Sequence, residues 1–160
     1  METILSLLNN LQTKGSFATR LAVPTDNLQL TVADLGPLKF PLTQRRAKAL
    51  IKVARPAKFG WREQTLLDKK VRDVWEIPKS KVKIDRRTWN KTLQPLLEQI
   101  QTELGMPEAG KLTAHLHNLL VYEPGQFFQP HQDSEKLDGM VATLVVVLPC
   151  EHNGGDLIVD

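Results

Sequence analysis

The chain has 160 residues, 41% of them hydrophobic and 24% charged, with a formal net charge of +3. This is the length of one domain, with enough apolar content for a packed core. No apolar run approaches the roughly 18 residues of a membrane span, and the single cysteine, Cys150, excludes an internal disulfide.

Charge is unevenly spread. Residues 1–111 carry 20 Lys and Arg against 11 Asp and Glu, a balance of +9, whereas residues 112–160 carry Lys136 alone against 7 acids, a balance of −6. The basic part could meet an acidic partner, although solvated helix faces account for the same residues. The first ten residues place Glu2 where a secretory leader needs a base and offer no cleavage site. The expectation is a soluble, cytoplasmic or otherwise intracellular protein.

In chain order, Ile4, Leu7, Leu8 and Leu11 predict a short amphipathic helix over 2–13, ended by Gly15. Residues 28–32 are a strand candidate. Gly36-Pro37 and Pro41 punctuate a loop. Thr43 can cap a helix in which Ala47, Leu50, Ile51 and Ala54 form the inner stripe. Arg45, Arg46, Lys48, Lys52 and Arg55 then form a solvated face, and Pro56 stops the helix. Residues 58–65 read as a loop. Residues 71–77 alternate as a strand that Pro78 limits, and Val82 and Ile84 extend the pairing after a turn.

Asp85 can cap a long helix whose stripe is Trp89, Leu93, Leu96, Leu97, Ile100 and Leu104. Pro95 lies inside it and predicts a bend near Lys91, because an interior proline costs about 3 kcal/mol. Gly105 stops the helix and Pro107 follows. From Leu112 the period becomes two. Strands are predicted over 114–122, 140–148 and 156–159, with a turn at Gly154-Gly155. On 114–122 one face carries Asn118, Leu120 and Tyr122, and the other His115 and His117.

Between the first two of these strands lies Pro130-His131-Gln132-Asp133. In extended chain, residues i and i+2 share a side, so His131 and Asp133 can present an imidazole and a carboxylate to one ion. Two histidines and a carboxylate on one face of an octahedron form the usual site of non-haem iron oxygenases. A His-x-Asp triplet by itself is equally a surface histidine beside a turn aspartate. Tyr122, the Pro124-Gly125 turn, Thr143 and the valine-rich strand add context to it.

On these residues the segments 119–133, 140–149 and 154–157 resemble the 2-oxoglutarate- and iron(II)-dependent oxygenases, in their prolyl-4-hydroxylase-like branch. Residues 71–77 resemble the upstream part of members of uncharacterised substrate. The resemblance implies an α+β chain: N-terminal helices and short strands over 1–111, supporting a partial double-stranded β-helix, or jelly roll, over 112–160. It implies His131 and Asp133 as iron ligands at the barrel mouth, with Tyr122 and Thr143 binding 2-oxoglutarate. Tyr122 could instead simply fill the barrel mouth, and Thr143 could as well be plain strand. The implied reaction is hydroxylation of a C–H bond in an unknown, possibly protein, substrate, coupled to decarboxylation of 2-oxoglutarate and supported by ascorbate in the family.

The family also needs a second histidine downstream and a basic residue after it. The only later histidine is His152, and no Lys or Arg follows Lys136. The expectation is therefore the front part of an oxygenase, as a truncation, a fragment, or a half completed by a second chain. Such a chain turns over poorly or not at all. Two alternatives stand beside it. One is a cupin-type metal protein using His115, His117 and Glu123. The other is a non-catalytic binding module using the basic part. Nucleic acid is not its expected partner, since no aromatic residues interleave with Arg45, Arg46, Lys48 and Lys52. Cys150 is expected to pack at a strand end, and residues 59–68 are the expected substrate contacts.

Overall fold

A computed structural model describes residues 15–24, 28–61, 64–107 and 109–159. The helix expected over 2–13 lies outside them. The chain divides into two compact units, one of residues 1–27, 86–113 and 159–160, the other of residues 28–85 and 114–158.

The larger unit is built from short antiparallel strands and one helix. Its elements are β1 (Leu30–Val32), β2 (Gly36–Pro37), α1 (Gln44–Val53), β3 (Arg55–Pro56), β4 (Phe59–Trp61), β5 (Gln64–Leu66), β6 (Arg72–Asp73), β7 (Trp75–Pro78), a 3-10 turn (Lys79–Lys81), β8 (Val82–Ile84), β9 (Asn118–Val121) and β10 (Phe127–Phe128). The sheets run β2-β1-β8, β3-β7-β9, β10-β6 and β4-β5. All are small and open.

The core follows from local sequence. Leu30 and Val32 sit two apart on β1 and share its buried side. Val82 lies opposite Val32 across the β1–β8 pairing. The β1–β2 hairpin turns through Asp34 and Gly36, both at positive φ (68° and 76°), the conformation a short hairpin loop needs. Thr43 caps α1 by accepting from the Arg46 N–H at 3.3 Å. The α1 stripe then delivers Leu50, 1% exposed, onto Leu30, Val32, Leu38, Ile77 and Val82. Arg46 is not the solvated cation expected: its Nη2 donates to the carbonyls of Leu35 (2.5 Å) and Pro37 (3.0 Å), tying the helix to the hairpin. Arg55 pairs with Glu76 at 2.9 Å.

The single strand predicted over 71–77 is two strands with different partners. Val74, 2% exposed, separates them and gives its carbonyl to the Ala57 N–H at 2.9 Å. The 58–65 region is a hairpin, β4–β5, rather than a loop. β8 pairs with β1 rather than prolonging β7.

In the smaller unit, α2 (Arg86–Glu103) runs as one span through Pro95 and buries Leu93 and Leu97. Gly105 at φ 65° ends it in a Schellman turn: Met106 N–H donates to Gln101 and Gly105 N–H to Thr102, both at 3.0 Å. Gly15 lies against this turn so closely that a Cβ there would collide with the Gly105 backbone. Thr19 and Gln99 donate to Glu103 and hold its carboxyl below the usual range. No helix among the described residues is long and apolar enough to cross a membrane.

The jelly roll is not formed. Beyond β10 the described residues contain no strand, only a parallel bridge between Leu42 and Cys150, with Leu42 N–H donating to Pro149 at 2.7 Å. The strands predicted over 140–148 and 156–159 are unpaired, with Val147 73% and Ile158 80% exposed. β-branched residues fit a strand, but a strand exists only through a neighbour that takes its N–H and C=O groups. Of the strand predicted over 114–122 only β9 forms, because β7 offers just four partner residues. Cys150, expected to pack, is exposed.

These contrasts set a stability test. Ile77→Ala is expected to cost about 2–5 kcal/mol in denaturant unfolding, and Val147→Ala no more than about 0.5 kcal/mol. In hydrogen exchange the amides of 141–148 exchange early while those of β1 and β7 are protected.

Candidate functional site

The His131 block is positioned from upstream. β9 pairs with β7 in the register Trp75↔Val121. Tyr122 follows, and the chain turns through residues 123–126. Gly125 takes φ 84° there, and Gln126 N–H donates to Glu123 O at 3.0 Å. The turn is braced to the upstream strands at two points. Trp75 Nε1 donates to Glu123 Oε2 at 2.6 Å, and Gln126 Nε2 donates to Asp73 Oδ1 at 3.3 Å. β10 then pairs with β6, Phe127 opposite Asp73 and Phe128 opposite Arg72. Gln129 continues the ladder through its N–H to Val71 O (3.0 Å) and its side chain to Lys70 O (2.8 Å).

His131 comes next and is fixed in two ways. Its ring stacks on Phe128, with centroids 3.5 Å apart and planes 22° from parallel. Its Nδ1 lies 2.8 Å from Gln129 O. A carbonyl only accepts, so Nδ1 carries the proton, and in the neutral ring Nε2 keeps its lone pair. Nε2 lies 3.6 Å from Asp133 Oδ1. Asp133 Oδ2 accepts from the Thr143 hydroxyl at 2.7 Å. Asp133, Glu135, Met140, Val141, Ala142 and Thr143 line an open cleft of about 270 Å³.

The structure therefore brings together three of the four residues singled out in the sequence. His131 and Asp133 turn toward each other, and Thr143 joins them by holding the carboxylate. Tyr122 is 49% exposed. Its partial burial pushes the phenol above the ordinary tyrosine range, against the lowering effect of the Arg72 charge.

One further expectation is corrected. Among the described residues no group of three or more His, Cys, Asp or Glu side chains is placed to hold a metal ion. The three-donor metal cluster and the closed barrel that the metal-binding, dioxygenase and jelly-roll expectation calls for are therefore not built among the described residues. His131 Nε2 and Asp133 Oδ1 are the right kinds of donor for a divalent ion. They are two, and both are exposed to water that competes for the ion. His152, the only later histidine, has its Nδ1 engaged with Gly154 O at 2.8 Å. The His115 and His117 side chains of the cupin alternative are exposed and precede β9.

Sequence reading missed Arg72. Its guanidinium carbon lies 4.5 Å from the Phe128 ring centre, and its Nη1 donates to Lys58 O at 2.6 Å. The alternation over 71–77 placed it on a strand, but nothing local to it signals that Phe128 is its cross-strand partner. Glu123 and Gln126 brace the turn through contacts with Trp75 and Asp73 that nothing in their local sequence signals.

The chain matches no known protein family, no curated protein and no solved structure.

Tyr122 is the only tyrosine, so the phenolate absorbance reads it alone. Its ionisation is expected above that of free tyrosine, and Arg72→Gln is expected to raise it further. The native state holds this proton more tightly than the unfolded chain does. Its stabilising contribution is thus complete below the unfolded value, near pH 10, and is lost as pH rises through the folded value.

Proposed function

We propose that the chain is a 2-oxoglutarate/iron(II) dioxygenase-like protein that carries a two-donor half-site and is weak or inactive as a catalyst by itself. Its substrate class is unassigned, and hydroxylation of that substrate belongs to a completed site. The observation that carries this reading is the approach of His131 Nε2 to Asp133 Oδ1 at 3.6 Å, with the imidazole tautomer set by Gln129 O. A carbonyl that takes the other ring N–H is the usual partner of a metal-ligating histidine. Thr143 orients the carboxylate in the same sense, since a hydroxyl bonded to one oxygen leaves the other for an ion.

What this chain's own residues do is present and orient those two donors. Iron, when bound, would supply open coordination positions for 2-oxoglutarate and dioxygen. With two donors in exposed positions, affinity is low and turnover is negligible until further donors are added.

The test is a divalent-metal titration of the whole chain, with manganese as probe, with and without 2-oxoglutarate. Weak uptake that His131→Ala and Asp133→Ala abolish, that Thr143→Val weakens several-fold, and that 2-oxoglutarate strengthens supports the reading. Uptake indifferent to both alanine substitutions overturns it, as does steady production of succinate by this chain alone.

A further inference from the structure

Residues 139–150 carry no charge, and the nearest charged residues are Asp138 and Glu151. Within this stretch Val141, Leu144, Val145, Val146 and Val147 are exposed. Among the described residues the backbone of 144–148 makes no hydrogen bond. Strand-forming side chains on a chain with open N–H and C=O groups are a template for another strand. Exposed edges of this kind are normally blunted by lysine, proline or a bulge. Here the first proline stands at 149, past the last leucine.

The order of side chains indicates which strand fits. Leu144-Val145-Val146-Val147-Leu148 reads the same in both directions. Two copies laid antiparallel with Val146 facing Val146 set Leu144 against Leu148 and Val145 against Val147, in both halves of the pair. Directly opposite residues share a face. The leucines and Val146 thus meet on one side, and Val145 meets Val147 on the other. The flanks do not oppose this register. Counted outward, Asp138 meets Gly154 and Glu151 meets Val141, so no like charges face each other. One edge of the segment is already engaged at its end: Leu42 N–H donates to Pro149 O at 2.7 Å, beside the parallel bridge from Leu42 to Cys150. In extended chain, alternate residues turn their N–H and C=O groups to opposite edges. The edge away from Leu42 is then that of Leu144, Val146 and Leu148, the edge on which a pair centred on Val146 makes its hydrogen bonds.

We propose that residues 144–148 are a self-pairing strand edge on which a second copy of this chain docks antiparallel, centred on Val146. The pairing is isologous and closes after two copies. Water already satisfies the open backbone groups of the single chain, so the gain comes from apolar burial. A ribbon this short buries less than a standard interface, and the dissociation constant is expected in the range of roughly 10 μM to 1 mM. The surface needs no metal and does not rest on the oxygenase reading.

The test is sedimentation velocity of the full chain from low micromolar to millimolar concentration. A reversible shift from one copy to two is expected, with no larger species. Val146→Lys sets two ammonium groups directly opposite each other and is expected to weaken pairing about tenfold or more. Val146→Glu does the same by itself. Mixing the two variants sets opposite charges together and is expected to restore pairing to within a few-fold of the parent chain. Val146 is exposed, so both variants keep the fold. In hydrogen exchange the amides of 144, 146 and 148 slow several-fold between the dilute and the concentrated chain, while those of 145 and 147 change little. A chain that stays single at every concentration overturns the proposal, and the patch then serves lipid or a different protein. Pairing that survives Val146→Lys overturns it, as do a mixture that fails to recover and growth into large aggregates.

Discussion

The pairing of a segment near the middle of the chain with one fifty residues later is the constraint on which the candidate site depends. β6 and β7 lie on either side of Val74, and each takes a different later strand: β10 on the first, β9 on the second. Between those two contacts the chain must reverse within residues 122–126, which Gly125 permits by taking positive φ. Everything chemically distinctive then follows in register. Phe128 faces Arg72, Gln129 finishes the ladder, and His131 stacks back onto Phe128. A one-residue slip of β10 would turn Phe128 to the opposite side and dissolve the stack. The braces from Trp75 to Glu123 and from Asp73 to Gln126 hold that register.

Local features were legible because their causes are local. The Thr43 cap, the Leu50 stripe of α1, the Leu93 and Leu97 face of α2 and the Gly105 stop each depend on residues within a turn or two of one another. Asp133 and His131 were legible for the same reason, being two apart. What escaped depends on distant partners. Residues 140–148 carry the strand pattern as clearly as any segment of the chain, yet pattern cannot provide the neighbour that a strand requires. Residues 71–77 alternate acceptably, but only the competing partners of β6 and β7 reveal the break at Val74. Arg72 was invisible as a site residue because its meaning lies in Phe128, across the sheet. Thr143 was legible as a site residue, but its contact with Asp133 depends on a fold of the chain that spacing does not reveal.

The resemblance that organised the sequence reading therefore rests on a block whose local order is real and whose expected surroundings are not. The order is in the Tyr122 turn, the β10 ladder and the His131 tautomer. The surroundings would be a closed barrel that excludes water and a further ligand. Without them, the two donors sit at 39% and 48% side-chain exposure. In high dielectric a carboxylate and a cation attract by about 1 kcal/mol at contact distance, many-fold less than in a dry interior. Hydration of the ion competes directly with so small a term, so two exposed donors are a weak site whatever their geometry.

Arg72 changes how the electrostatics of this region are read. By composition the last fifty residues are acidic and hold no arginine. The fold corrects this by importing a guanidinium from β6 onto the face that Phe128 shares, near enough to Tyr122 to act on its phenol. Charge totals along the sequence thus misstate the potential at the His131 block. The relevant neighbours are those across the sheet, not those along the chain. The same point explains why Asp73, adjacent to Arg72 in sequence, does not neutralise it. Strand alternation sends the two side chains to opposite faces, where Lys69 and Gln126 take up the carboxylate and the guanidinium lies over Phe128.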